Sequence, residues 1–182
     1  MKNPLFLKFL FFLNIFITLY SVSVAQELSS DESELYDLVM AYRKAKGLPH
    51  IPLSRSLTIV AQTHVKDLEE NYQRNSSCNF HSWSNQGKWK AVCYTDNHAR
   101  AKLMWSKPQE LTAYKGYGFE IAFAIDEAYL ANAADALESW RSSRPHNAVM
   151  LNKDKWKRKW NAIGIGIYGS YAVIWFGNEP DK

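Results

Sequence analysis

The run Ile-Gly-Ile-Gly-Ile at residues 163–167 constrains the fold more than any other part of the sequence. Alternation with period two is typical of a β-strand, and the glycines leave one face of that strand without side chains. A second apolar run, residues 171–176, follows the dipeptide Gly169-Ser170. A two-residue connection between such runs indicates a β-hairpin. We therefore predict a terminal hairpin with another element packed tightly on its glycine face.

Three stretches upstream of the hairpin have apolar residues at the spacing of one helix face. The first begins at a capping box formed by Asp31 and Glu34, the second begins after Ser54 or Ser56, and the third begins near Asn132. Three helices followed by a hairpin indicate an α+β fold in layers, and the length of 182 residues indicates one domain.

The chain between the second and third helices lacks clear periodicity. A short helix is predicted at residues 97–105, and Pro108 and Gly118 are interpreted as turns. Residues 83–117 have the character of a long insertion, and a loop of that length in a compact domain is usually functional or cross-linked. Cys78 and Cys93, the two cysteines of the chain, are the candidates for that cross-link.

The N-terminal residues 1–25 have the layout of a secretory signal peptide. Lys2 precedes a mostly apolar stretch, and Ser23-Val24-Ala25 supplies small residues at the cleavage site. The apolar run is short for a membrane anchor, so we expect cleavage after Ala25 and no membrane span in the mature chain. A polar segment, residues 26–33, would follow. Export to an oxidising compartment favours a disulfide between the two cysteines.

Charge argues against nucleic acid as a partner. The formal net charge is +4, and two of the lysines that contribute to it lie in the expected signal peptide. The remaining excess of basic residues is too small to indicate nucleic-acid binding. His64 lies on the apolar stripe of the second helix, and there we favour a core histidine with one hydrogen bond over a site residue.

Four blocks of sequence resemble the CAP superfamily, the SCP domain of cysteine-rich secretory, antigen 5 and pathogenesis-related proteins, in its bacterial secreted form. They are Leu-Thr-Ile-Val-Ala-Gln-Thr-His at 57–64, Phe-His-Ser at 80–82, Gly-Phe-Glu-Ile-Ala at 118–122, and Trp-Arg-Ser-Ser-Arg-Pro-His-Asn-Ala-Val-Met-Leu at 140–151. The resemblance implies a CAP domain at residues 34–178, folded as a three-layer α-β-α sandwich with a C-terminal β-hairpin.

The resemblance also implies a cleft lined by two histidines and two acids. His81 and His146 correspond to the histidines, and Glu120 corresponds to one acid. Ser143 stands where the second acid is usual, as it does in bacterial members. We therefore assign His81, Glu120, Ser143 and His146 to a ligand-binding cleft.

Two imidazoles and a carboxylate are also a zinc ligand set. The His-Glu-x-x-His helix of many zinc enzymes is absent, so we rank a metal-free polar cluster first. Weak, exchangeable binding of Zn²⁺ or another divalent cation by His81 and His146 ranks second, and no cofactor is required. Ser143 is interpreted as a helix-end cap rather than a nucleophile, since no Gly-x-Ser-x-Gly sequence is present.

The functional expectation is a secreted, extracellular or periplasmic monomer. Its cleft would bind a small apolar molecule, lipid-like or sterol-like, or a cell-envelope component. The rival hypothesis is a secreted metal-assisted hydrolase, such as a peptidase, that uses the same cleft. We favour binding over catalysis.

Overall fold

The computed structural model describes residues 27–74 and 76–181, so the expected signal peptide lies outside the described residues. The helices are α1 (Ser30–Ala45), α2 (Arg55–Asn71), α3 (Ala101–Trp105), α4 (Lys107–Leu111), α5 (Ala133–Ser142) and α6 (Arg144–Met150), with a 3₁₀ turn at Asp154–Trp156. The strands are β1 (Gly118–Ala124), β2 (Ala162–Tyr168) and β3 (Tyr171–Gly177).

The three strands form an antiparallel sheet with the order β1-β3-β2. The predicted hairpin is confirmed, with Tyr168 opposite Tyr171 and Gly169 at φ +56° in the turn between them. The strand β1 was not predicted, and the interpretation of Gly118 as a turn was wrong, because that residue begins β1. Since β1 pairs with a strand about fifty positions later in the chain, short-range pattern gives little sign of it.

Helix α2 lies directly on the glycine face of β2. A Cβ added to Gly164 would lie 2.1 Å from the backbone carbon of Leu57, and one added to Gly166 would lie 2.5 Å from that of Ala61. The two backbones therefore approach too closely for any side chain between them, which confirms the tight packing predicted from the alternating glycines.

Helices cover both faces of the sheet and enclose two cores, so the predicted α+β sandwich is confirmed. On one face, α1 and α5 pack with the buried side chains Leu35, Trp140 and Ile174. On the other face, α2 packs with the buried side chains Val60 and Trp175. Trp140 also ties its layer to the sheet, because its indole N–H donates to the carbonyl of Ala122 at 3.1 Å.

The first helix begins two residues earlier than the sequence predicted. Its capping box is formed by Ser29 and Glu32 rather than by Asp31 and Glu34. The buried carboxylate of Glu32 also accepts hydrogen bonds from Gln62 Nε2 at 2.8 Å and from the backbone N–H of Ile167 at 3.1 Å. Contacts with distant segments therefore determine which acid occupies the box.

The other two predicted helix starts are confirmed. Ser54, one of the two alternatives, caps α2 by accepting from the N–H of Leu57, and Asn132 caps α5 by accepting from the N–H of Asp135. The predicted helix at residues 97–105 is shorter and begins at Ala101. Pro108 lies in the first turn of α4, where a missing N–H removes no helical hydrogen bond, so its interpretation as a turn was wrong.

The predicted disulfide is present and links Cys78 to Cys93. The disulfide closes a loop within the segment 78–94. An antiparallel bridge between Trp83 and Val92 connects the two sides of that loop as well. The segment is thus held at several points although it contains no regular element.

Both ends of the described chain contact α2. The carbonyl of Glu27 accepts from Gln62 Nε2 at 3.4 Å, and the carboxylate of Asp181 accepts from Ser54 Oγ at 2.7 Å and from the N–H of Ser56 at 2.8 Å. Helix α2 is therefore in contact with the first and last described segments as well as with the sheet.

Candidate functional site

A buried carboxylate, that of Glu120, lies at the centre of the candidate site. Strand β1 directs this side chain towards α2, where Oε1 pairs with Nδ1 of His64. The loop that follows Cys78 brings His81, whose Nδ1 lies 2.6 Å from the other oxygen, Oε2. One carboxylate therefore joins three segments that are distant in sequence.

His64 is the site residue that sequence reasoning missed. Its side chain is completely buried, with the ring stacked on Trp83 at 4.2 Å between centroids and an interplanar angle of 4°. Its Nε2 lies 2.8 Å from the carbonyl oxygen of Ser82. The expectation of a core histidine was right about its burial. The expectation of a single hydrogen bond was wrong, since the second nitrogen contacts Glu120.

The partners of His64 determine its protons. A carbonyl oxygen only accepts, so Nε2 carries a hydrogen and donates it to Ser82. An ionised carboxylate also only accepts, so an ionised Glu120 requires a hydrogen on the facing Nδ1. Burial raises the pKa of Glu120, but attraction and hydrogen bonds from His64 and His81 outweigh it, and the net pKa is lowered. The centre is therefore a buried carboxylate held by two imidazoles.

His81 presents its other nitrogen to the cleft. With Nδ1 donating to Glu120, the ring is held in the tautomer that leaves Nε2 as the cleft-facing atom. Its side chain is 22% exposed, whereas those of His64 and Glu120 are fully buried. His81 is therefore the member of the trio that a ligand can contact.

His146 reaches the same cleft from α6. Its pKa is lowered, mainly by burial and further by the electrostatic interaction with His81. Its Nδ1 is buried without a hydrogen-bond partner among residues 27–74 and 76–181. His146 is therefore neutral around pH 7 and retains an unsatisfied polar atom.

Ser143 does not line this cleft, although the sequence grouped it with the other three. It lies at the junction of α5 and α6, where its N–H donates to the carbonyl of Ser139 and its carbonyl accepts from the N–H of Asn147. Its hydroxyl makes no capping hydrogen bond. Ser143 thus occupies a helix end, as the alternative interpretation expected, through its backbone alone.

The cleft has a volume of about 660 Å³. His81, Glu120 and His146 belong to its polar part. Apolar and aromatic side chains from the segment after Cys93 and from α3, β1, α6 and the 3₁₀ turn form much of the remaining wall, including Tyr94, Met104, Trp105, Phe119, Val149 and Trp156. Two acids, Asp96 and Asp154, and two cations, Arg144 and Lys155, lie along the same wall.

The model of the cysteine-rich secretory protein family, CAP, matches residues 36–173. The chain belongs to the CAP family. None of the curated proteins compared with this CAP protein matches it.

Solved structures from three bacteria share the CAP fold. An extracellular protein containing an SCP domain, from Bacillus anthracis, is 19% identical with a TM-score of 0.57; 82% of this chain covers 40% of that one. An outer surface protein from Borrelia burgdorferi is 17% identical with a TM-score of 0.56, with coverage of 84% and 96%. A cysteine-rich secretory protein from Staphylococcus aureus is 16% identical with a TM-score of 0.51, with coverage of 84% and 40%.

The donor set in this CAP domain does not fit a tightly held metal ion. Within the described part of the chain, no three or more His, Cys, Asp or Glu side chains are grouped to hold one. Both oxygens of Glu120 are engaged by histidines, and Nδ1 of His81 is engaged by Glu120. Of the three expected ligands, His81 and His146 alone keep a ring nitrogen that Glu120 does not engage, whereas structural and catalytic zinc sites use three or four protein ligands.

Proposed function

We propose that this CAP protein is exported and binds a small apolar molecule, lipid-like or sterol-like, or the apolar part of a cell-envelope component. The observation that supports this most is the cleft of about 660 Å³, in which aromatic and aliphatic side chains form one part of the wall and polar and charged side chains form another. Ligand sites are usually concave and largely apolar, with a few polar groups that orient the ligand.

Export is supported by several independent features. Structural relatives are described as an extracellular protein and an outer surface protein. The Cys78–Cys93 disulfide suits an oxidising compartment. We therefore propose an extracellular or periplasmic location. No helix within the described residues is long and apolar enough to cross a membrane.

Native mass spectrometry, followed by solvent extraction and identification of the bound molecules, tests the binding proposal. Phe119→Ala removes an aromatic wall of the cleft and should reduce the amount of co-purified apolar molecule. Phe123→Ala is a matched control, since Phe123 lies on the same strand and packs against the core without lining the cleft. Equal retention of ligand by both variants, or no apolar molecule in the wild type, would contradict the proposal.

A weak divalent-cation site at His81 and His146 is a second proposal. It is supported by the unsatisfied Nδ1 of His146 and by the cleft-facing Nε2 of His81. In calorimetric titration with zinc, His81→Ala and His146→Ala should each weaken binding, and the double variant should lose little more than the worse single variant. Strictly additive losses would contradict a shared site.

An assay of substrate turnover distinguishes the binding proposal from the rival hypothesis, a metal-assisted hydrolase. The binding proposal expects no cleavage of a broad panel of peptide and ester substrates, with or without added zinc. Zinc-dependent turnover that disappears in His81→Ala would favour the rival.

A further inference from the structure

A smaller chamber opens beside the cleft and shares walls with it. This chamber, which we call the aromatic annex, has a volume of about 200 Å³. Its walls are Trp105, Phe119, Lys155, Trp156, Arg158 and Trp160, together with Asn178. Four of these residues also line the main cleft, namely Trp105, Phe119, Lys155 and Trp156. A single ligand that spans both chambers would therefore contact the shared rings of Trp105, Phe119 and Trp156.

The aromatic rings of the annex are packed around Phe119. The centroid of its ring lies 5.5 Å from that of Trp105, 5.2 Å from that of Trp156 and 5.6 Å from that of Trp160. Trp160 is almost completely buried, and its indole N–H donates to the carbonyl of Val149 at 2.9 Å. Such interlocked rings form a rigid apolar surface.

Two exposed cations stand at the rim of this surface, and the annex wall contains no acid. Lys155 places its ammonium 5.1 Å from the ring centroid of Trp156. Neither Lys155 nor Arg158 forms an ion pair with a residue that the structure describes. In the main cleft, by contrast, Asp96 and Asp154 share the wall with the cations. An anionic group would therefore be better accommodated in the annex than in the cleft.

The loop that carries the two cations is held by hydrogen bonds from Asn152. The amide of Asn152 donates to the carbonyls of Trp156 at 3.2 Å and of Arg158 at 2.7 Å. Its Oδ1 accepts from Nη1 of the buried Arg43 at 2.9 Å. Asn152 itself adopts φ +52°, a left-handed conformation that asparagine tolerates. The backbone at Trp156, next to Lys155, and at Arg158 is therefore held in place before any ligand arrives.

We propose that the aromatic annex binds the anionic head group of an amphiphile, a carboxylate or a phosphate, whose apolar tail lies in the main cleft. Lys155 and Arg158 pair with the head group, and Arg158 can offer it two parallel N–H donors. The rings of Phe119 and Trp156, which both chambers share, contact the start of the tail. This inference rests on the proposed binding function and specifies the chemical class of the ligand.

The test uses three probes with the same tail: dodecanoate, dodecyl phosphate and neutral 1-dodecanol. Binding is followed by calorimetry and by the tryptophan fluorescence of the annex. The wild type should bind at least one anionic probe roughly tenfold or more tightly than dodecanol, which corresponds to one charge-assisted hydrogen-bonded pair. Comparison of the two anions distinguishes a carboxylate from a phosphate as the preferred head group.

The double variant Lys155→Gln/Arg158→Gln should lose that preference and bind dodecanol as the wild type does. The matched control is Lys157→Gln/Lys159→Gln, which removes two exposed cations from the same segment that do not line the annex. Thermal denaturation checks that both variants fold.

The possible outcomes separate the two levels of the proposal. Dodecanol binding without any preference for the anions in the wild type overturns the annex and leaves the apolar cleft standing. An equal loss of anion preference in the control variant also overturns the annex, because it would show a general effect of net charge. Failure of the wild type to bind any of the three probes overturns the annex and counts against the binding function itself.

Discussion

At the scale of single residues, the buried carboxylate of Glu120 connects α2, the disulfide loop and β1. One of its oxygens pairs with the buried ring of His64. The other oxygen fixes the ring of His81. Removal of one member of a buried pair leaves the other charge uncompensated, which costs far more than loss of a surface pair. The carboxylate therefore contributes to both stability and site geometry.

Glu120→Gln should lower the free energy of unfolding by about 3 kcal/mol, because His64 would lose the carboxylate with which it pairs in the buried site. Urea denaturation at pH 7 measures the change. Glu138→Gln is the control, since Glu138 forms an exposed ion pair with Arg141 at 3.2 Å; its change should stay within about 0.5 kcal/mol. Similar losses of stability in the two variants would show that the buried pair stabilises the fold no more than the exposed one does.

Stability should decline on acidification because of His146. Its pKa is lowered from 6.5 in the folded protein, so the unfolded chain takes up the proton first as the pH falls below that value. The stability due to the neutral imidazole is therefore present above pH 6.5 and is lost below it. His146→Gln should lose less stability between pH 7 and pH 5 than the wild type, as followed by urea midpoints. The control His50→Gln, at an exposed histidine, should retain the full decline.

Glu120 contributes in a lower pH range with the same sign. Its pKa is lowered from 4.5, so its ion pair stabilises the fold above that value and is lost as the pH falls through the folded-state pKa. Hence a decline below pH 4.5 should persist in His146→Gln. A flat profile in that range would contradict the assigned ion pair.

The residues of the site were only partly predictable. His81, Glu120 and His146 could be selected because each is the polar residue in a family-like block. His64 was assigned to the core because its helix face is apolar, and nothing local to α2 indicates that a carboxylate from β1 lies opposite. His64 is both buried and part of the candidate site, and the periodicity of the sequence indicates only its burial.

At the scale of elements, the close contact of α2 with β2 is the most constrained packing in the fold. The hairpin and its bare face were predictable, since two-residue periodicity and glycine placement are local properties. The strand β1 was not, since its apolar residues follow one another without alternation and its pairing with β3 is a long-range contact. The sheet order thus depends on information that short windows of sequence lack.

Gly164→Ala should destabilise the protein by about 3 kcal/mol, because the new Cβ would overlap the backbone of α2 rather than a movable side chain. Gly116→Ala is the control. There a Cβ would meet Cγ of Glu179 at 2.8 Å and Cε1 of Tyr114 at 3.1 Å, which are side-chain atoms rather than backbone atoms. Thermal or urea unfolding compares the two, and a loss in Gly164→Ala no greater than in the control would contradict the packing argument.

Loss of the disulfide should cost about 3 kcal/mol by the chain-entropy relation for a loop near fifteen residues. The variant Cys78→Ser/Cys93→Ser should show this lower stability in urea. Addition of a reductant should bring the wild type to the same level and leave the double variant unchanged. Stability that is insensitive to both treatments would show that the loop is held by its other contacts alone.

At the scale of the whole molecule, the first prediction concerns export of the chain and removal of its signal peptide. The chain should be secreted and processed after Ala25, so N-terminal sequencing of the secreted protein should begin at Gln26. Replacement of Ala25 with a bulky residue, Ala25→Trp, should block cleavage at that bond. Mature protein that retains residues 9–20 in the membrane fraction would contradict this prediction.

The family and its layers were predictable because four separate blocks keep their order along the chain. The cleft walls and the annex were not. Trp105 and Trp156 come from segments without regular periodicity, and their approach to Phe119 follows from the path of irregular loops over the sheet. Such loops are fixed by individual contacts, among them those of Asn152, rather than by a repeated pattern.

The contacts of Glu27 and Asp181 hold both ends of the described chain against α2 and its N-terminal cap. Their partners on or before the helix, Gln62 and Ser54, are separated by about 12 Å at the helical rise. A flexible linker of a few residues spans that distance. The domain therefore has the geometry of an insertable or circularly permutable module, which can be spliced into a loop of a host protein, or reopened at the exposed segment 126–130, without separating its layers.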